Sequence, residues 1–305
     1  MKYRKLSELC EYTSDKILVS ILSRQNYIST ENMLQNRGGI CDAETLPSTF
    51  KVSSFVEDDI LISNIRPYFK KIWRAKFCGG CSNDILVMRA KQNCNPIFLY
   101  YILSGDSFFS YATHTSKGTK MPRGDKKAIM NYQVPDLSYQ AQKIIGEFLN
   151  VFDRKIELNN KLNDNLQQQA FALFEQLLLT ADDGECSVAD IAHLNPKRAL
   201  AKNQEAKCIE MSQLSTSGAF PSGWEKRPFN GGMRFSNGDT LLARITPCLE
   251  NGKAAFIDFL DTSEVAFGST EYIVLAPKGE IPPEFLYCLA RYPVFSDYAV
   301  KNMNG

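Results

Sequence analysis

Residues 58–77 read "DDILISNIRPYFKKIWRAKF", and residues 238–257 read "GDTLLARITPCLENGKAAFI". With a shift of 180 positions, Asp59, Leu61, Ile65, Pro67 and Ala75 coincide with Asp239, Leu241, Ile245, Pro247 and Ala255. A second block, 82–118, recurs at 269–305 with a shift of 187. Within it Ser82, Val87, Lys91, Pro96, Phe98, Leu99 and Tyr100 return as Ser269, Val274, Lys278, Pro283, Phe285, Leu286 and Tyr287. The period far exceeds the roughly 20–50 residues of a solenoid repeat, so each copy is long enough to form a domain with its own core.

The 305 residues are 44% hydrophobic and 23% charged, the composition of a folded chain. No run of about 18 apolar residues occurs, and the opening "MKYRKLSELCEYTSDKI" contains no signal-type apolar segment. The expectation is a cytoplasmic protein without a membrane partner. Nine scattered cysteines fit reduced thiols there. The "CGGC" of Cys78 and Cys81 has only Cys94 and His114 as further zinc ligands, at spacing that suits no zinc motif, so no metal is expected.

Between the copies the composition changes. Residues 137–181 contain no proline and one glycine, and carry apolar residues at helical spacing. Ile145, Phe148, Phe152, Leu162, Leu166 and Leu173 fall on the a and d positions of a heptad register, with Asn159, Lys155 and Gln169 as polar seam residues. About 43 helical residues would reach roughly 65 Å, longer than a small domain is wide, so the seam calls for a partner helix. Pro135 and "TADDGE" are the start and stop signals.

Net charge is +1 overall, but residues 1–136 hold 19 basic against 13 acidic side chains. The excess clusters in "RPYFKKIWRAK" and "HTSKGTKMPRGDKK"; either cluster is equally a solvated face. The duplicated phrases, the connector "VPDLSYQAQKIIGEFLNVFDRKIELNNKLNDNLQQ", "GSTEYIVLAPK" and "GTKMPRGDKKAIMNYQVPDLSYQAQKI" together resemble the DNA-specificity subunits of type I restriction-modification systems. The resemblance covers essentially the whole chain. It implies an α+β fold of two duplicated target recognition domains, 1–136 and 184–305, joined by a long coiled-coil-type helix, 137–183. It also implies a non-catalytic reader of double-stranded DNA, each domain taking half of a bipartite site. The helix would dock methyltransferase subunits and the complex would recruit motor-nuclease subunits. S-adenosylmethionine, ATP and magnesium would belong to those partners.

Base reading needs Arg, Lys, Asn or Gln at base edges, and phosphate contacts to position them. The candidates in the first copy are Arg66, Lys70, Lys71, Arg74, Lys117, Thr119, Lys120 and Arg123. In the second they are Arg227, Arg234, Arg244 and Lys253. Arg66 also has a structural reading, because it stands beside Pro67 where the second copy has Thr246.

Intrinsic catalysis is not expected: there is no GxGxxG cofactor loop, no Asn/Asp-Pro-Pro-aromatic tetrapeptide and no nuclease carboxylate cluster, and there are two histidines, His114 and His193. Two rival readings stay open, a specificity subunit of another restriction architecture and a coiled-coil scaffold with two protein-binding heads. Gly118 is followed by 63 further residues to Ala181, whereas its equivalent, Gly305, ends the chain. The repeat therefore predicts an incomplete second domain and a helix seam free to pair in a homodimer.

Overall fold

The computed structural model describes residues 2–180, 184 and 186–302. Gly305 and most of the "TADDGE" stop signal lie outside them. The chain divides into two compact units, residues 1–160 and 161–305. In the first, strands β1 (Tyr3–Lys5), β2 (Cys10–Tyr12), β3 (Lys16–Leu18), β4 (Tyr27–Ile28), β5 (Lys51–Phe55), β6 (Ile60–Ser63), β7 (Ile72–Arg74), β8 (Gly79–Cys81) and β9 (Ile85–Ala90) precede helices α1 (Pro96–Ser104), α2 (Asp106–His114) and α3 (Lys126–Met130). Strand β10 (Gln133–Pro135) leads into α4, Tyr139–Thr180. After α5 (Val188–Ile191) come β11 (Ala192–Leu194), β12 (Glu205–Ile209), β13 (Glu225–Pro228), β14 (Met233–Phe235), β15 (Thr240–Ala243), β16 (Ala254–Phe256), β17 (Ala266–Gly268) and β18 (Tyr272–Pro277), then α6 (Pro283–Arg291) and α7 (Pro293–Lys301).

The quoted phrases form the centre of each unit. β6 is buried on both faces, which is why "ILIS" is a continuous apolar run rather than an alternating one. Ile60 and Ile62 face a core built with Phe98, Leu99 and Phe108 of α1 and α2. Leu61 faces the other way, onto Phe55, Trp73 and Cys81. β15 repeats this, with Leu241 in one core and Leu242 in another.

The strand orders β2-β9-β6-β7 and β11-β18-β15-β16 are equivalent. Register corrects the sequence alignment. Leu61 faces Trp73 while Leu241 faces Ala255, so Ala255 matches Trp73, and Ala75 matches Ile257. The connection after Pro247 is two residues longer than that after Pro67, which a gap-free alignment misses.

The other two sheets diverge. β8 lies between β5, antiparallel, and β4, parallel; β17 lies between β14, antiparallel, and β12, parallel. The fourth strand joins on opposite sides: β3 pairs with β5, whereas β13 pairs with β12.

Helix α4 inverts the usual amphipathic rule in its first half. The stripe facing the first unit is polar or small. Gln142 is fully buried, accepts from Asn95 N at 3.0 Å and donates to Leu137 O at 3.0 Å. At Gly146 a Cβ would come within 2.9 Å of the Phe98 backbone nitrogen. Asn150 accepts from Arg74 at 3.3 Å, Asp153 from the Tyr101 hydroxyl at 2.7 Å, and Glu157 pairs with Lys76 at 2.7 Å. The second half seats Phe174 among Phe285, Tyr287 and Tyr292. The heptad residues Ile145, Phe148, Phe152, Leu162, Leu166 and Leu173 are all exposed, by 39–63%.

Candidate nucleic-acid interface

In the first unit two segments far apart in sequence are bonded into one surface. Arg66 N donates to Pro122 O at 2.8 Å and Gly124 N to Asn64 O at 3.1 Å. Lys117 and Arg123 exchange both backbone bonds at 2.9 Å, closing a loop whose tip, Gly118–Met121, is exposed. Gly124 permits this approach, since a Cβ there would stand 2.9 Å from Asn64 Oδ1. Lys117, Thr119, Lys120 and Arg123 thus gather beside Arg66.

A third segment joins them. Asn36 N and Arg37 N donate to Phe69 O and Lys70 O, both at 2.9 Å. Asn36, Arg37, Arg66 and Lys70 all have positive φ, between 50° and 64°. Such a backbone costs about 1–3 kcal/mol per non-glycine residue and persists where surrounding bonds impose it, commonly at functional surfaces. Tyr68 is exposed at this turn.

Most of these cations have a carboxylate partner. Asp106 receives Lys70 at 2.7 Å and Arg37 at 2.5 Å. Those bonds, from Lys70 first and then Arg37, hold its carboxyl down to about 2. Asp125 takes Lys117 at 2.6 Å while capping α3, and is likewise held at about 2. Arg123 pairs with Asp84 at 2.9 Å. Lys120 has no carboxylate partner among the described residues.

Two predicted residues lie elsewhere. The Lys71 ammonium is turned onto Thr30 O at 2.6 Å, and burial lowers its pKa. Arg74 faces α4 through Asn150. Lys253 matches Lys71 by register and does the same thing, donating to Met211 O at 3.0 Å. Both amines fasten the segment before a strand to a neighbouring turn.

In the second unit Arg227, on β13, is bonded by Glu225 at 2.6 Å and by Glu210. Arg244 pairs with Glu271 at 2.9 Å, and Arg234 lies 5.7 Å from the Phe229 ring centre. Arg227 and Arg234 belong to separate strands and Arg244 follows β15, and the three are not gathered by backbone bonds as Arg66 and the 117–123 loop are. Sequence reading missed Arg37, whose signal was the turn "NRGG", and Tyr68.

Of the thiols, Cys78 is exposed just before β8 while Cys81 is buried at its end. Burial pushes the Cys81 thiol up to about 12, the opposite of a reactive thiolate. Among the described residues no group of three metal-ligating side chains gathers, and no helix is long and apolar enough to cross a membrane.

Residues 1–168 match the profile described as the type I restriction modification DNA specificity domain. The EcoAI type I restriction enzyme specificity subunit of Escherichia coli is 38% identical over 121 residues, 38% of this chain and 20% of that protein. The EcoDI specificity subunit of the same organism is 26% identical over 157 residues, 51% of this chain and 34% of that one. The alignments thus span a fifth to a third of these relatives. Among solved structures, the type I restriction-modification S subunit from M. genitalium aligns over 99% of this chain and 79% of that one, with a TM-score of 0.59 at 16% identity, a likeness of fold.

Proposed function

The chain belongs to the type I restriction modification DNA specificity family, and from that premise we propose that it is the sequence-reading subunit of a type I complex, each unit taking one half of a bipartite double-stranded site. The observation that carries this reading is the surface made by Arg66, the turn at Lys70 and the loop Lys117–Arg123, where the exposed Lys117, Lys120 and Arg123 and the half-buried Arg66 and Lys70 sit on a backbone fixed by long-range bonds. Arg and Lys on such a frame offer both phosphate positioning and guanine-edge contacts. Arg227, Arg234 and Arg244 are the corresponding candidates in the second unit. Lys71, Arg74 and Lys253 serve the frame rather than the contact.

The exposed seam of α4 supports a docking face for methyltransferase subunits, which bring S-adenosylmethionine. Motor-nuclease subunits would add ATP and magnesium, and the chain itself performs no chemistry in the cytoplasm where the complex works. The same seam supports self-association through paired α4 helices when no such partner is present.

Duplex DNA retention by the full chain with its methyltransferase partner tests the reading, and should fall steeply as salt rises. The Lys120→Ala, Arg123→Ala double variant should change preference in one half-site only, by about 1–3 kcal/mol for a lost base contact. Unchanged affinity together with unchanged methylated sequences would remove this loop from the interface. Methyl transfer by the purified chain alone would overturn the non-catalytic assignment. Sedimentation of Phe152→Asp and Leu166→Asp forms tests self-association: a wild-type monomer at micromolar concentration speaks against it.

A further inference from the structure

The second unit contains a cavity of about 360 Å³ lined by Lys207, Phe220, Trp224, Asp258 and Phe259 among others. That is within the ~300–1,000 Å³ of small-ligand sites. Lys207 projects from β12 with its ammonium 5.1 Å from the Trp224 ring centre and 5.9 Å from that of Phe259. It donates to Glu264 at 2.8 Å, and its side chain is only 12% exposed. Trp224 and Phe220, by contrast, are 43% and 50% exposed, so their rings are open to a ligand.

The wall is built to hold its shape. Arg291 of α6 donates to Thr216 O at 2.6 Å, Gly218 O at 2.8 Å and Ser215 O at 3.0 Å. Phe256 N donates to Ala219 O at 2.7 Å and Ser222 N to Gln213 O at 2.9 Å. The loop carrying Phe220 and Trp224 is therefore strapped at several carbonyls before any ligand arrives.

Exposed ring faces beside a cation select a flat, polarisable ligand. An ammonium has three N–H groups and Glu264 takes one, which leaves donors for a ring carbonyl. The Asp258 carboxylate, exposed on the cavity lining, has the lone pairs to accept from a ring amino group. A ring with both is cytosine or guanine; adenine has no carbonyl and thymine no amino group.

We infer that this cavity is a nucleobase site selective for cytosine or guanine, filled by a base unstacked from DNA or by a free nucleotide. The DNA source rests on the reading above, and the base chemistry does not. Among the described residues of the first unit the pair is not repeated, because strand register puts Asn26 and Lys76 at the positions of Lys207 and Asp258.

Quenching of Trp224 fluorescence in the full chain tests it, with Trp224→Phe protein as the blank. The monophosphates dCMP and dGMP should quench saturably and bind roughly tenfold or more tightly than dAMP and dTMP. Asp258→Ala, which removes the acceptor at an exposed position and leaves the fold intact, should erase that preference. A duplex holding one cytosine or guanine opposite an abasic site separates the sources: quenching there assigns a DNA-borne base, and quenching by nucleotides alone assigns a free one. No saturable quenching, or equal quenching by all four nucleotides in both proteins, overturns the site. Retention of ordinary duplex DNA is scored in parallel, so DNA held with Trp224 silent to nucleotides and duplexes alike rejects the cavity and not the DNA reading. The reverse pattern rejects the DNA reading and not the cavity.

Discussion

The two units grip the same kind of helix with opposite chemistry. The first uses Gln142, the gap at Gly146, Asn150 and Asp153, answered by Arg74, Lys76 and Tyr101. The second uses Phe174 against Phe285, Tyr287 and Tyr292. Register makes Arg74, which bonds Asn150 in the first unit, the equivalent of Phe256, which packs in the Phe174 cluster of the second. Equivalent positions on one scaffold thus carry polar contacts in one copy and aromatic ones in the other. The geometry of a helix seat is set by the scaffold; its chemistry is free to change.

Each unit contains one tryptophan, Trp73 or Trp224, so urea unfolding followed by fluorescence of single-tryptophan forms reads the two seats separately. The largest effect is expected in the aromatic seat. Phe174→Ala removes a side chain only 3% exposed and should cost the second unit about 3–5 kcal/mol, with the Trp73 transition unmoved. In the polar seat, Gln142→Leu leaves Asn95 N and Leu137 O without their buried partner and should cost the first unit about 1–3 kcal/mol. Tyr101→Phe loses one bond to Asp153 and should cost about 0.5–1.5 kcal/mol. Lys76→Ala should cost under about 1 kcal/mol and nothing measurable in high salt, because its pair with Glu157 is solvent-exposed. If Phe174→Ala and Tyr101→Phe prove equal, the contrast between the seats is wrong.

A pH series sharpens the same contrast. Asp106, paired with Lys70 and Arg37, is held below its ordinary value, to about 2. Its contribution is present above about pH 4 and is lost as pH falls through 2. The urea midpoint of the first unit should fall over that window, and Asp106→Asn should flatten the fall.

Much of the fold was legible because its signals are local or periodic. The repeat and the long helix both followed from pattern alone. What escaped depends on contacts distant in sequence. Asp59 and Asp239 occupy matching buried positions, yet Arg89 answers the first from β9 and Arg198 the second from a loop after β11. No alignment pairs those arginines. The polar stripe of α4 escaped because amphipathic reasoning sends the apolar face inward, and here it faces water. Of the site, the loop Lys117–Arg123 and Arg66 were legible as charges. Their union was not, since it depends on backbone bonds spanning more than fifty residues. Lys71 and Lys253 looked like the other cations because sequence does not reveal which carbonyl an amine has found.

From Leu158 to Leu166 every side chain of α4 is exposed, so this stretch of the backbone ladder carries no buried side chain. Isolated helices of such length are marginal in water. Amide deuterium uptake should therefore be fastest there and slow toward Gln142 and Phe174, giving one continuous helix two protected ends and a soft centre. A partner seated on Leu162 and Leu166 would reveal itself first as the slowing of exchange in that centre.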